Sequence, residues 1–161
     1  MALLNRWRWL LLSVLAAAAP ARAQVDESAL KAAFVYNIVA FSQWNTPRDA
    51  QVVSVCADAG PSLDGALQAL DGRALGTRTI AVHPRAAGVA CDVLVRGRER
   101  PAAAAPGVLV ICDGCELPDE VTAVSLVRVE SRVRFEIATV AAGRAGLTFS
   151  SQLMQLARRV L

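Results

Sequence analysis

The sequence predicts one compact α/β domain: a mixed sheet of about six strands flanked by helices, and stapled by disulfides. Three observations predict it. Short apolar or alternating runs recur at Gln51 to Cys56, Arg78 to His83, Cys91 to Val95, Gly107 to Cys112, Val121 to Glu130 and Arg132 to Ala138. Helical patterns precede, interrupt and follow them. All four cysteines fall inside this region, and an even count in an exported chain favours disulfides.

The export reading comes from the leader. Arg6 and Arg8 form a basic start, Leu10 to Ala19 is an apolar run broken by one serine, and Ala21-Arg22-Ala23 is an A-x-A cleavage signal. Residues 1–23 therefore read as a signal peptide cut after Ala23, and 24–161 as the single domain. The apolar run is too short for a membrane span, which needs roughly 20 residues, so no span is expected after cleavage. The leader holds three of the 17 basic residues and none of the 14 acidic ones, so the mature chain has a net charge of zero. This gives no support to nucleic-acid binding, which wants a basic face.

Along the domain, Asp26 to Phe41 predicts the first helix. Asp26, Glu27 and Ser28 suit its N-terminus, and Leu30, Phe34, Ile38 and Phe41 form an apolar stripe. Pro47 disfavours helix at Thr46. Gln51 to Cys56 is a buried-centre strand, and Ser62 to Leu70 a short helix with Leu63, Leu67 and Leu70 inward. The strands Arg78 to His83 and Cys91 to Val95 follow. Pro101 and Pro106 limit any helix between Arg96 and Pro106 to a turn or two. Gly107 to Cys112 is wholly apolar, as a strand buried on both faces must be. Val121 to Glu130 and Arg132 to Ala138 join at Glu130-Ser131 as a hairpin. Val133, Phe135 and Ile137 alternate with Arg132, Arg134 and Glu136, giving a buried face and a solvated one. Thr139 to Gly146 predicts one or two helical turns. A last helix is capped by Ser150 or Ser151, with Leu153, Leu156, Ala157 and Val160 on one side and Arg158 and Arg159 in its final turn. The sheet is expected to be parallel early and antiparallel late.

Candidate chemistry is sparse. Cys112-Asp113-Gly114-Cys115 could be a redox pair or half a zinc site, but Asp113, Glu116, Asp119 and Glu120 surround it and oppose a thiolate. Four cysteines allow three pairings. Cys56 ends one strand and Cys91 begins another, so a bridge between them would close a loop of about 36 residues. His83, the single histidine, sits before Pro84 with no hydrolase signature near it, and there is no phosphate-cradling glycine motif. No catalytic residue, metal or cofactor is expected. Phe41 and Trp44 are explained by core packing, yet they are also candidates for contact with a partner. Arg132, Arg134 and Glu136 share the outward face of one strand, which reads as a solvated face with a cross-strand ion pair, or as an anion- or partner-binding face on which Arg134 and Glu136 are the contact candidates.

Two segments carry a resemblance. LKAAFVYNIVAFSQWNTP and RVRFEIATVAAGRAGLTFSSQLMQLARRVL are similar to the YfiR family, with its "LKAAFLYNFAKFTEWP"-type helix and its "RFEIN…A…AGL.ISSQLLKLA" block. The middle departs from the family pattern. Val108 to Ile111 matches, but CDGCELPDEVTAVSL replaces a Gly-Gly segment, and Ala138 replaces the usual asparagine. The resemblance implies a small periplasmic regulator with no catalytic residues. Its partner would be the periplasmic domain of an inner-membrane GGDEF diguanylate cyclase, which it holds inactive, lowering cyclic-di-GMP and biofilm formation. It also implies bridges Cys56–Cys91 and Cys112–Cys115. A homodimer is compatible with it. The competing readings are a periplasmic thiol-disulfide oxidoreductase using Cys112 and Cys115, and a small-ligand sensor.

Overall fold

The computed structural model describes residues 26–47, 49, 51–103 and 105–161. The leader, residues 1–23, lies outside them. The chain opens with helix α1 (Glu27–Ala40), whose first turn is closed by the Asp26 carboxylate accepting the Ser28 N–H at 3.0 Å. Its buried face is Ala32, Val35, Ile38 and Val39. The expected stripe is thus rotated. Ile38 is its centre, Phe34 is half-buried, and Leu30 and Phe41 stand at the exposed margins.

Strand β1 (Ser42–Trp44) follows directly, then β2 (Val52–Asp58), helix α2 (Pro61–Gln68), β3 (Ala74–Leu75), β4 (Arg78–Pro84), β5 (Val93–Gly97) and β6 (Leu109–Asp113). Among the described residues of 96–106 no helix forms. The hairpin β7 (Val124–Val129) and β8 (Arg132–Ile137) comes next, then α3 (Thr139–Arg144), β9 (Leu147–Phe149), α4 (Ser151–Leu156) and β10 (Arg159–Val160). The main sheet runs β10-β8-β7-β6-β5-β2-β4-β3. Pairings from β4 through β7 are parallel and β7–β8 is antiparallel, as expected. The six expected strands are its body, and β3 and β10 are added at its edges. A separate ribbon pairs β1 with β9 antiparallel.

The C-terminus differs from the expected long helix. Helix α4 is capped by the Ser150 hydroxyl, which accepts the Leu153 N–H, and it ends at Leu156. Ala157 is extended, and Arg159–Val160 lies parallel to β8 at Glu136 and Ile137. The Arg158 N–H donates to Phe135 O and the Leu161 N–H to Ile137 O, both at 2.8 Å. Of the predicted apolar side, Leu153 is buried while Leu156 and Val160 are exposed. Strand hydrogen bonds and a carboxylate for Arg158 and Arg159 win over helix continuation.

The main core joins α1 and α2 to one face of the sheet, around Ile38, Leu67, Ile80, Ile111, Leu126 and Ile137. Phe34 of α1 meets Phe135 of β8 with ring centroids 5.7 Å apart. Cys56 is bridged to Cys91 and Cys112 to Cys115, each with a Cα–Cα distance of 5.7 Å, within the usual disulfide range.

Candidate interaction surface

Two grooves flank the β7–β8 hairpin. The pairing of β6 with β7 ends at Asp113 and Leu126, so the hairpin projects beyond β6. Its turn, Glu130-Ser131, has positive φ at both residues, 48° and 63°. This is the two-residue turn whose twist suits a hairpin, but it is built here without the glycine or asparagine that favours it.

The first groove, about 720 Å³, lies between the start of α1 and β8. Leu30, Phe34 and Val133 supply apolar wall, and Arg128, Arg132 and Arg134 supply charge. Arg128 donates to Glu27 at 2.9 Å, and Glu27 also holds Lys31 at 2.9 Å. The hydrogen bond and charge of Lys31 hold the Glu27 carboxyl below its ordinary value. No carboxylate among the described residues pairs with Arg132 or Arg134.

The second groove, about 760 Å³, lies past the end of β6. It is polar and is lined by Asp113, Cys115, Arg98, Glu136, Arg158 and Arg159, among others. Most of its charges are paired among the described residues, Arg98 and Glu116 excepted. Lys31 reaches Asp113 at 3.0 Å. Burial alone would lower the Lys31 ammonium, but its bonds to Glu27 and Asp113 outweigh that and raise it. Glu136 is 3% exposed and is held by both Arg158 and Arg159, the latter at 2.7 Å. The Arg159 guanidinium also reaches Leu117 O.

These placements sort the candidate residues. Arg134 is exposed, as the alternation predicts, and it lines the first groove. Glu136 shares its face of β8 but is covered, which corrects the solvated-face expectation, while the cross-strand ion pair is present: Arg159 lies across from it on β10 and Arg158 joins from the same C-terminal segment. Phe41 and Trp44 line neither groove. They belong to the β1–β9 ribbon region, where the Trp44 indole N–H donates to Gly107 O at 2.9 Å and Arg78 stacks 5.6 Å from the ring. Cys112 is fully buried and Cys115 is 8% exposed. The acidic residues near them are partly neutralised, Asp113 by Lys31 and Asp119 by Arg96. Among the described residues no cluster of three His, Cys, Asp or Glu could hold a metal, and no helix is long and apolar enough to cross a membrane. Arg128 and Arg158 were not legible as site residues. Their partners lie 101 and 22 positions away, and no local pattern marks such pairs.

Fold and surface define a disulfide-closed α/β domain whose shaped features are grooves around an edge hairpin. The chain belongs to the YfiR/HmsC-like family, whose model matches residues 28–158, from the first turn of α1 to the C-terminal arginines. No curated protein matches it in sequence.

Proposed function

We propose that this protein is a periplasmic regulator that binds the periplasmic domain of an inner-membrane GGDEF diguanylate cyclase and holds it inactive. Cyclic-di-GMP and biofilm formation fall as a result. Family membership across almost the whole domain is the observation that carries this reading. The two disulfides agree with an oxidising compartment, and the leader with export by a signal peptide removed after Ala23. The role needs protein contact rather than bond chemistry, and it asks nothing of the single histidine. A thiol oxidoreductase using Cys112 and Cys115 is disfavoured by their burial, since exchange requires an accessible sulfur.

Co-purification tests the reading. Tagged mature protein should retain the periplasmic domain of a GGDEF cyclase encoded in the same genome, and deleting its gene should raise cyclic-di-GMP. Retention of no such domain, with cyclic-di-GMP unchanged in the deletion, would overturn it. An insulin-reduction assay should find no turnover.

A further inference from the structure

The outer edge of β8 is only partly covered. Strand β10 pairs with it at Glu136 and Ile137 alone. The carbonyls of Phe135 and Ile137 point outward, because they accept the Arg158 and Leu161 N–H groups. With a period of two, the N–H and C=O of Val133 and the N–H of Phe135 point outward as well. Among the described residues β7 covers the inner edge of β8 from Arg132 to Arg134, and no strand covers its outer edge there. This bare edge runs along the first groove.

The two faces beside that edge differ in chemistry. Val133 and Phe135 point towards α1, where Phe34 and Leu30 lie, and Leu30 is 37% exposed. Arg132 and Arg134 point to the opposite face, exposed and without carboxylate partners among the described residues. A strand added here would alternate its side chains between the two faces. One set would meet Leu30 and Phe34. The other would meet two arginines.

We propose that the open edge of β8 is a strand-addition site for an extended partner segment in which apolar and acidic residues alternate. The inference rests on the reading of the chain as a protein-binding regulator and names the surface that does the binding. Backbone hydrogen bonds to Val133 supply attachment, and the two faces supply selectivity. Charge complementarity selects this occupant over two others. Two copies of β8 paired about a two-fold axis would set arginine opposite arginine, and like charges directly opposite are destabilising. Residues 1–25 carry Arg6, Arg8 and Arg22 and no carboxylate, so the chain's own leader has the wrong sign.

The test uses the mature, oxidised protein and a fluorescein-labelled octapeptide of alternating valine and glutamate, read by fluorescence anisotropy. The peptide should bind saturably. Exchanging its glutamates for lysine should weaken binding about tenfold or more, and so should the protein variant Arg132→Glu/Arg134→Glu. Methylating the peptide amides along one edge should abolish binding, because charge alone does not need those donors. Equal binding of the methylated peptide, or no binding of the parent peptide, overturns the site. A parallel pull-down uses the periplasmic domain of the cyclase. Retention by wild type but not by Arg132→Glu/Arg134→Glu supports the site, and equal retention by both refutes it while the regulator reading stands. If wild type retains no cyclase domain, the regulator reading fails, and the peptide result alone decides the site.

Discussion

Replacing Glu136 by glutamine removes the clamp that holds the C-terminal segment to the sheet. The carboxylate side chain is 4% exposed, and its two arginines are 48% and 47% exposed. A charge-assisted hydrogen bond contributes roughly 1.5–3 kcal/mol when desolvated. Here the cations are half in water, so each bond is discounted by about half. Two such bonds give a loss of about 2 kcal/mol. Glutamine preserves volume, so no cavity adds to it. For a domain of this size about 3 °C accompanies each kcal/mol, so the melting temperature should fall by about 6 °C. Urea unfolding of the oxidised protein measures the global loss. Hydrogen exchange measures the local one, at the Arg158 and Leu161 amides that bond to Phe135 and Ile137. Adding Arg158→Ala to the Glu136→Gln background should cost little more, because the partners act as one unit. If Glu136→Gln unfolds within about 0.5 kcal/mol of wild type and both amides keep their protection, the clamp reasoning is wrong.

Three further outcomes follow from the same geometry. Cys56→Ser/Cys91→Ser should lose more stability than Cys112→Ser/Cys115→Ser, about 4 against about 2 kcal/mol by chain entropy, because the bridges span 35 and 3 residues; urea midpoints in the reverse order would contradict this. At Asp119, burial by itself raises the carboxyl, but bonds from the Thr122 hydroxyl and N–H, the Val121 N–H and the Arg96 charge outweigh it and hold it below its usual value. Its stabilisation is therefore present above the unfolded value of about 3.9 and lost as pH falls through the folded one, so the gap between wild type and Asp119→Asn should be full at neutral pH and close in acid; a gap independent of pH would refute the assignment. Placing Asn-Gly at 130–131, as Glu130→Asn/Ser131→Gly, should stabilise the hairpin by about 1 kcal/mol, and a lowered urea midpoint would show that the positive-φ turn is misread.

Much of the fold is legible in the sequence because burial leaves a periodic mark. The all-apolar β6 region and the alternating β8 announce themselves, and Leu63, Leu67 and Leu70 are inward as their spacing predicts. The β1–β9 ribbon is not legible, since three-residue strands have too few positions to establish a period. The C-terminal helix misleads for a different reason. Leu153, Leu156, Ala157 and Val160 do match a helical wheel, but the open edge of β8 and the buried Glu136 draw Arg158 alongside the sheet and Arg159 and Val160 into a strand. Local propensity cannot see that competition. The same limit governs the site. Alternation places Arg132, Arg134 and Glu136 on one face, yet it cannot say that the C-terminal segment covers Glu136 and leaves Arg134 bare. Grooves made by α1 and β8 join residues a hundred positions apart, and only the folded chain brings them together.

The most direct test of the regulator account is cyclase turnover in isolated inner membranes. Adding mature, oxidised protein to membranes carrying the full-length GGDEF enzyme, with its periplasmic side accessible, should lower cyclic-di-GMP synthesis saturably, and Arg132→Glu/Arg134→Glu should need a higher concentration for the same effect. Synthesis that stays constant at saturating wild-type protein would contradict the account.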